Sequence, residues 1–186
     1  LVGNGVSMVT LYYLRRFFTF MEQVLLADQL ASEIEVSEEI MHFYTLINDT
    51  FKKHEDLLQG GISDKQRKTI LDELGIAGSN YKNQVYKNAF SGNRKPISIK
   101  ELQSFTKIGI KYLNHSIEAN QRKDGMYHAY NLMTVKNSEE VSINYLDEML
   151  EGQVAVLSSG QLSATGCIEV LDAMKASKLF REDQYS

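Results

Sequence analysis

Proline is almost missing from this sequence, since Pro96 is the only one among 186 residues. An average chain carries roughly 5% proline. Because proline interrupts helices and marks turns, its scarcity favours long helices joined by glycine and polar turns. Tryptophan is absent as well, while ten tyrosines and eight phenylalanines supply the aromatic side chains. With 43% apolar residues the chain can form a real core, so the composition predicts a folded, mainly helical protein.

Cysteine is nearly absent too, and the lone Cys167 excludes an internal disulfide framework and a cysteine-rich zinc site. Its place in the last predicted helix is typical of a small core residue. The four histidines are His42, His54, His115 and His128. No two of them have the three- or four-residue spacing of a helical metal site. The sequence therefore predicts neither a metal nor a cofactor.

Positive charge is not in excess, because the formal net charge is −4 and the isoelectric point is near 5.6. This balance excludes a basic footprint for nucleic acid over the whole protein. No stretch approaches 18 uncharged apolar residues, so no membrane span is predicted. The opening residues 1–7 lack the basic start and apolar run of a signal peptide. The cytoplasm is the expected compartment, provided that Leu1 lies near the native start.

Apolar residues recur with helical spacing along most of the chain, and a serine precedes most of these stretches as a helix cap. The pattern predicts about seven helices, over residues 8–33, 38–59, 65–74, 80–90, 99–122, 143–157 and 164–177. Short linkers between long helices imply antiparallel neighbours. The expected fold class is therefore all-α, built from stacked antiparallel helical hairpins.

Two interruptions divide this pattern. The loop Ser91-Gly92-Asn93-Arg94-Lys95-Pro96 is the clearest turn signal and indicates a subdomain boundary. We expect N-terminal hairpins over 1–92 and a C-terminal part over 93–186, packed as one compact unit. Lys123-Asp124-Gly125 ends a helix, and residues 123–136 lack a helical stripe. Residues 123–136 are predicted to be an irregular loop, in which residues 126–136 are extended or irregular.

This predicted loop contains the densest set of functional residue types. An aspartate, a histidine, two tyrosines and an asparagine lie within eight residues, at Asp124, Tyr127, His128, Tyr130 and Asn131. Histidine exchanges protons near neutral pH, tyrosine rings stack on sugars, and asparagine or aspartate hydrogen-bonds hydroxyl groups. One interpretation is a loop that faces a ligand in a cleft. The other is an ordered loop whose polar groups cap the flanking helices.

Two glutamates on the next predicted helix are the candidate catalytic pair. Glu148 and Glu151 are three residues apart, which would place them on one helix face. Paired carboxylates serve as acid and nucleophile at a glycosidic bond, and Asp124 or Glu151 is the candidate for either role. The alternative is a solvated acidic face.

Basic residues concentrate where acids are missing. Between Leu74 and Lys100 there is no acidic residue, and the candidate anion-binding residues are Lys82, Lys87, Arg94 and Lys95. Between Asn137 and Met174 there are seven acids and no lysine or arginine. The basic stretch fits a phosphate site, a solvated face, or a surface that docks on the acidic stretch of this chain or of a neighbour. Single-stranded nucleic acid is the last interpretation.

Two stretches resemble large bacterial proteins described as cellobiose-phosphorylase-like. They are Lys123-Asp124-Gly125-Met126-Tyr127-His128-Ala129-Tyr130-Asn131-Leu132 and Met149-Leu150-Glu151-Gly152-Gln153-Val154-Ala155-Val156-Leu157-Ser158-Ser159-Gly160. The resemblance covers about residues 115–186. It implies helices of an (α/α)-barrel of the glycoside phosphorylase and hydrolase type. Such a barrel needs about twelve helices, more than this chain can supply, so the resemblance implies a fragment.

Two functions follow as hypotheses. In the first, the chain is the helical portion of a carbohydrate-active enzyme whose loop 124–131 faces an oligosaccharide, with phosphate as a co-substrate. Asp124 or Glu151 would act on the glycosidic bond, and the loop tyrosines, His128 and Asn131 would position the sugar. In the second, the chain is a non-catalytic assembly module. It would self-associate through the apolar faces of helices 8–33 and 38–59.

Overall fold

The computed structural model describes residues 4–26 and 31–183. These residues form six α-helices, one 3₁₀ helix and five strands in two antiparallel sheets. The elements are β1 (Gly5–Ser7), α1 (Met8–Leu25), β2 (Glu33–Ser37), α2 (Glu38–Lys53), the 3₁₀ helix (Glu55–Gln59), α3 (Asp64–Asn88), β3 (Arg94–Ser98), α4 (Ile99–Glu118), β4 (Tyr130–Val135), β5 (Val141–Tyr145), α5 (Leu150–Ser158) and α6 (Ala164–Ala176). The expected all-α fold of about seven helices is therefore wrong, because the chain contains both helices and sheets.

Contacts between residues group the chain into two compact units, each of which is discontinuous in sequence. Unit 1 contains the residues up to Thr19, Ile110–Lys136, and the residues from Val141 onward. Unit 2 contains Phe20–Gly109 and Asn137–Glu140.

The sheet of unit 1 has the strand order β1-β4-β5, with every pair antiparallel. Its register places Asn131 between Val6 on one side and Tyr145 on the other. The segment expected to be extended or irregular is irregular over residues 123–129 and extended over Tyr130–Val135, where it forms strand β4. The helix expected over 143–157 is wrong at its start, since β5 runs through Val141–Tyr145 and α5 begins only at Leu150. In β5 burial falls from Val141, which is buried, to Asn144 and Tyr145, which are exposed.

The sheet of unit 2 has two strands, β2 and β3, and contains the single proline. Pro96 pairs with Glu35, and the buried Ile97 pairs with the exposed Ile34. Each strand of a two-stranded sheet has a free edge, so the missing N–H of proline removes no ladder bond when it faces outward. β2 alternates polar and apolar residues over Glu33–Ser37, which is strand periodicity that the helix assignment overlooked, whereas β3 shows no such alternation.

Several helix boundaries follow the predicted serine caps. The Ser37 hydroxyl accepts from the Ile40 N–H, and Ser98 forms the expected capping box with Glu101. The predicted helices 65–74 and 80–90 are in fact one helix, α3, because two glycines within it do not break it. The first helix ends at Leu25, well before residue 33. Part of that expected helix, residues 27–30, lies outside the described residues.

The core of unit 1 is built around the fully buried Tyr12 of α1 and Ile117 of α4. Tyr127, Val156 and Val170 pack into the same cluster. The cluster thus joins α1 and α4, the segment before β4, and the helix pair α5 and α6. Cys167 is half-buried at its α6 position.

The described residues lack two features that would bear on function. Within residues 4–26 and 31–183, no helix combines the length and apolar character needed to cross a membrane. Over the same residues, no group of three or more histidine, cysteine or acidic side chains has the arrangement to hold a metal ion.

Candidate functional site

Gln153 holds the segment that leads into β4. Its side chain is fully buried in α5, where Oε1 accepts from the Tyr127 N–H at 2.8 Å. Its Nε2 donates to the Tyr127 carbonyl at 2.8 Å and to the Met149 carbonyl at 3.0 Å. Tyr127 is 4% exposed, and its ring meets Tyr12 edge-on at a centroid distance of 6.4 Å. Tyr127 is therefore part of the core, although the sequence analysis predicted that its side chain contacts a sugar.

A second buried network fixes the backbone of the next residue. The His128 carbonyl accepts from the Tyr12 hydroxyl at 2.8 Å and from the Asn120 amide at 2.7 Å. Asn131, which is 6% exposed, donates to Asn120 Oδ1 at 3.0 Å. Burial raises the pKa of Tyr12 well above its usual value, so its phenol stays a donor. Asn131 thus belongs to this interior network and does not face a cleft.

Arg122 forms ion pairs with two carboxylates, those of Asp124 and Glu148, in unit 1. Its Nε lies 3.1 Å from both oxygens of Asp124, and its Nη2 lies 2.8 Å from Asp124 Oδ2. The same Nη2 lies 3.3 Å from Glu148 Oε2. Asp124 Oδ1 also accepts from the Met126 N–H, and Gly125 takes the positive φ of 85° that this turn requires. The turn therefore aims Asp124 back at Arg122.

His128 and Tyr145 lie next to this ion pair. The imidazole stacks on the Tyr145 ring at 4.2 Å and 13°, and its Nδ1 lies 3.3 Å from the Leu146 carbonyl. Because that partner is an acceptor, Nδ1 carries the proton and Nε2 is the acceptor. Burial, with a further contribution from Arg122, lowers the pKa of His128 and keeps the ring neutral at pH 7. Tyr145 is 54% exposed. We name these five residues, Arg122, Asp124, His128, Tyr145 and Glu148, the Arg122 cluster.

The electrostatics of the cluster decide what its carboxylates can do. Hydrogen bonding from Arg122 lowers the pKa of Asp124, so this carboxyl is ionised at neutral pH. A general acid needs the opposite shift, and the role of acid is therefore not favoured for Asp124. The Asp124 and Glu148 oxygens share one Arg122 nitrogen, at 2.8 and 3.3 Å. Asp124 Oδ2 and Glu148 Oε2 are therefore at most about 6 Å apart, and both are engaged by the same guanidinium.

The other candidate catalytic residue, Glu151, belongs to a separate pair. A hydrogen bond between the Tyr130 phenol and the Glu151 carboxylate raises the pKa of Tyr130. Glu148 and Glu151 do not share a helix face as expected, since α5 begins at Leu150 and Glu148 precedes it. The structure therefore brings Asp124 together with Glu148, and Glu151 together with Tyr130.

The candidate anion-binding residues lie on two elements of unit 2. Lys82 and Lys87 are exposed on α3, and Arg94 and Lys95 are exposed on β3. Lys95 Nζ lies 3.4 Å from Glu38 Oε1, so a carboxylate already neutralises part of this charge. A phosphate site at these residues stays a prediction.

Sequence reasoning missed Arg122 and Gln153, the two residues that organise this region. Arg122 was assigned to a helix end, although an arginine two residues before an Asp-Gly turn is a recognisable partner for that aspartate. Gln153 gave no signal, because a glutamine in an apolar helix is buried only through contacts distant in sequence. No protein-family model and no curated protein matches this chain.

Proposed function

We propose that the chain binds carbohydrate at the Arg122 cluster. The observation that carries the proposal is the exposed Tyr145 ring stacked on His128, together with the Asp124 and Glu148 carboxylates that pair with Arg122. A sugar ring has an apolar C–H face that packs on an aromatic ring and hydroxyl groups that donate to carboxylates. Hydrogen bonds to charged acceptors are stronger than neutral ones, and Asp124 and Glu148 both supply them.

The resemblance of residues 123–132 and 149–160 to cellobiose-phosphorylase-like proteins supports a glucose-based ligand. Asp124 and His128 lie inside the first of these stretches. Cleavage of a glycosidic bond remains a prediction, with Asp124 in the role of nucleophile and Glu151 as the second candidate. An acid with a raised pKa is the missing part of such a mechanism.

The test is a titration of the folded chain with cellobiose and cello-oligosaccharides, followed by NMR. We expect the His128 and Tyr145 ring resonances to shift, with a dissociation constant of about 1 mM, as suits a shallow site. Tyr145→Leu should remove the response. Tyr86→Leu is the matched control, because Tyr86 is 81% exposed on α3, away from this cluster in sequence. Unchanged spectra at saturating oligosaccharide would contradict the proposal.

Inorganic phosphate forms a second arm of that titration. Two carboxylates surround the one guanidinium of the cluster, so phosphate should not shift the His128 resonances. A shift at Lys82 or Lys95 would instead support the predicted anion site of unit 2. Phosphate shifts at His128 would show that the cluster is not the acceptor-rich surface described above.

Self-association is the second candidate function, and one observation favours it. Helix α1 exposes Tyr13, Leu14 and Phe17, with 44, 42 and 54% of their surface accessible. These side chains lie within one arc of the helix, and a second copy of the chain would bury them. Sedimentation over a concentration series tests this, with Phe17→Glu expected to abolish a dimer and Tyr86→Glu expected to preserve it. A monomer at every concentration would exclude this candidate.

A further inference from the structure

A cleft of about 390 Å³ opens between the first turn of α2 and the second half of α3 in unit 2. This volume is within the range of small-molecule sites. Its lining residues are mostly polar and planar, namely Glu38, Glu39, His42, Asn80, Tyr81, Gln84 and Ser91. The cleft contains no residue of the Arg122 cluster, and Glu38 connects it to Lys95 of the candidate anion-binding residues.

Glu39 is the unusual member of the lining. Its side chain is buried, with 7% of the residue exposed. Oε1 accepts from the Ser91 N–H at 2.7 Å, while Oε2 is buried without a hydrogen-bond partner among the described residues. The hydrogen bonding of Ser91 lowers the pKa of Glu39, so the carboxyl carries its charge at neutral pH. A buried carboxylate oxygen without a donor is costly, and a ligand that donates to it would remove that cost.

The other lining residues also favour a ligand that donates hydrogen bonds. Within the part of the chain that the structure describes, no lysine or arginine lines the cleft. Asn80 and His42 each carry an acceptor atom, while Gln84 Oε1 already accepts from Asn88 Nδ2 at 2.9 Å. Tyr81 stacks on Phe43 at 5.0 Å and 21°, which fixes its ring as one wall. An aromatic wall attracts a cation through its π face.

We propose that this cleft binds a small organic cation bearing a primary ammonium group. An ammonium has three donors and no acceptor, which matches a lining rich in acceptors. Guanidinium is less suitable, because its planar fork uses both oxygens of a carboxylate and Ser91 already occupies one oxygen of Glu39. The ammonium donates to Glu39 Oε2, and its alkyl group contacts the Tyr81 ring.

Removing the positive charge of Lys95 should strengthen binding of the ligand, whereas removing the negative charge of Glu39 should weaken it. The Lys95 ammonium lies 3.4 Å from Glu38 Oε1, at a residue that lines the cleft. This charge repels an incoming cation and neutralises part of the Glu38 carboxylate. Removing it in Lys95→Met should strengthen ammonium binding about threefold. Lys107→Met is the matched control, since Lys107 is exposed on α4 and does not line the cleft.

The experiment titrates the full chain with n-butylammonium, methylguanidinium and 1-butanol at constant ionic strength and pH 7. We expect n-butylammonium to shift the His42 and Tyr81 ring resonances, methylguanidinium to bind more weakly, and 1-butanol to have no effect. Glu39→Gln should weaken n-butylammonium about tenfold, because the neutral amide keeps the Ser91 contact and loses the charge. Glu35→Gln, on the exposed strand β2, should change nothing.

Three results would overturn the proposal. They are an absence of shifts with n-butylammonium, equal binding of 1-butanol, or an unchanged affinity in Glu39→Gln. If Glu39→Gln does not fold, Lys95→Met decides, because an affinity that fails to rise in that variant contradicts the site. Circular dichroism of each variant establishes that it is folded before titration. None of these outcomes depends on whether the Arg122 cluster binds carbohydrate.

Discussion

Replacing Gln153 with leucine removes three hydrogen bonds from the interior of unit 1. The side chain is fully buried and spans the gap between α5 and the segment before β4. Leucine has a similar volume, so the substitution leaves the packing nearly intact and deletes the polar contacts. The Tyr127 N–H and carbonyl then lose the amide that pairs both of them.

The structure gives the size of the effect. A buried backbone group left without a partner costs about 1–3 kcal/mol, and here two such groups belong to one residue, Tyr127. The Met149 carbonyl loses a third contact nearer the surface. We therefore expect the free energy of unfolding to fall by about 4 kcal/mol. For a chain of this length that corresponds to a melting temperature lower by roughly 8–16 °C.

Urea unfolding followed by circular dichroism measures this difference. Gln161→Leu is the matched control, because Gln161 makes one side-chain hydrogen bond, 3.3 Å to Glu118 at the surface. It should change stability by no more than about 0.5 kcal/mol. If Gln153→Leu lowers stability no more than this control, then Gln153 does not hold the Tyr127 backbone and the described network is wrong.

Three further predictions concern the same unit. Gly152→Ala should lower the free energy of unfolding in urea by about 1–3 kcal/mol, because the new Cβ would lie 2.9–3.0 Å from side-chain and backbone atoms of Ala129. Gly75→Ala is the control and should not lower stability, because no atom lies within 4 Å of its new Cβ. Tyr12→Phe should cost about 1–2 kcal/mol in the same assay, since the hydroxyl bond to the buried His128 carbonyl is lost; an unchanged midpoint would refute this. The His128 imidazole should titrate below 6.5 by NMR. The folded state then binds the His128 proton less tightly than the unfolded state, so the free energy of unfolding should fall as the pH drops from 7 to 5. A His128 titration midpoint above 6.5 would contradict the burial argument.

Helix starts were predictable because their chemistry is local. Ser37, Ser63, Ser98 and Ser163 each accept from a backbone N–H three residues ahead, as a cap requires. The strands were not predictable in the same way. They are three to six residues long, and β2 and β3 consist largely of charged and polar residues. The pairs β1–β4 and β2–β3 join segments distant in sequence, so pairing and not local pattern decides their conformation, whereas β4 and β5 form a hairpin across residues 136–140.

The sequence indicated which residue types are concentrated in residues 124–131, but it did not show which of their side chains lie at the surface and which are buried. The residues that the sequence grouped together divide into two environments, since Asp124 faces Arg122 at the surface while Tyr127 and Asn131 point into the core. A strand alternates its side chains between two faces, and β4 begins at Tyr130. Residues 123–129 are irregular as expected, but the strand that follows them directs the side chains of Tyr130 and Asn131 to opposite faces, which a loop assignment could not show.

The pairing of β1 with β4 has a consequence for how the protein is made. Ser7 pairs with Tyr130, so most of the polypeptide separates two neighbours in one sheet. Closing so long a loop is entropically expensive and slow. On the ribosome the amino-terminal strand would emerge long before its partner is synthesised, and it would need protection from wrong pairings in the interval. We expect refolding in vitro to take milliseconds to seconds and to be sensitive to chaperones.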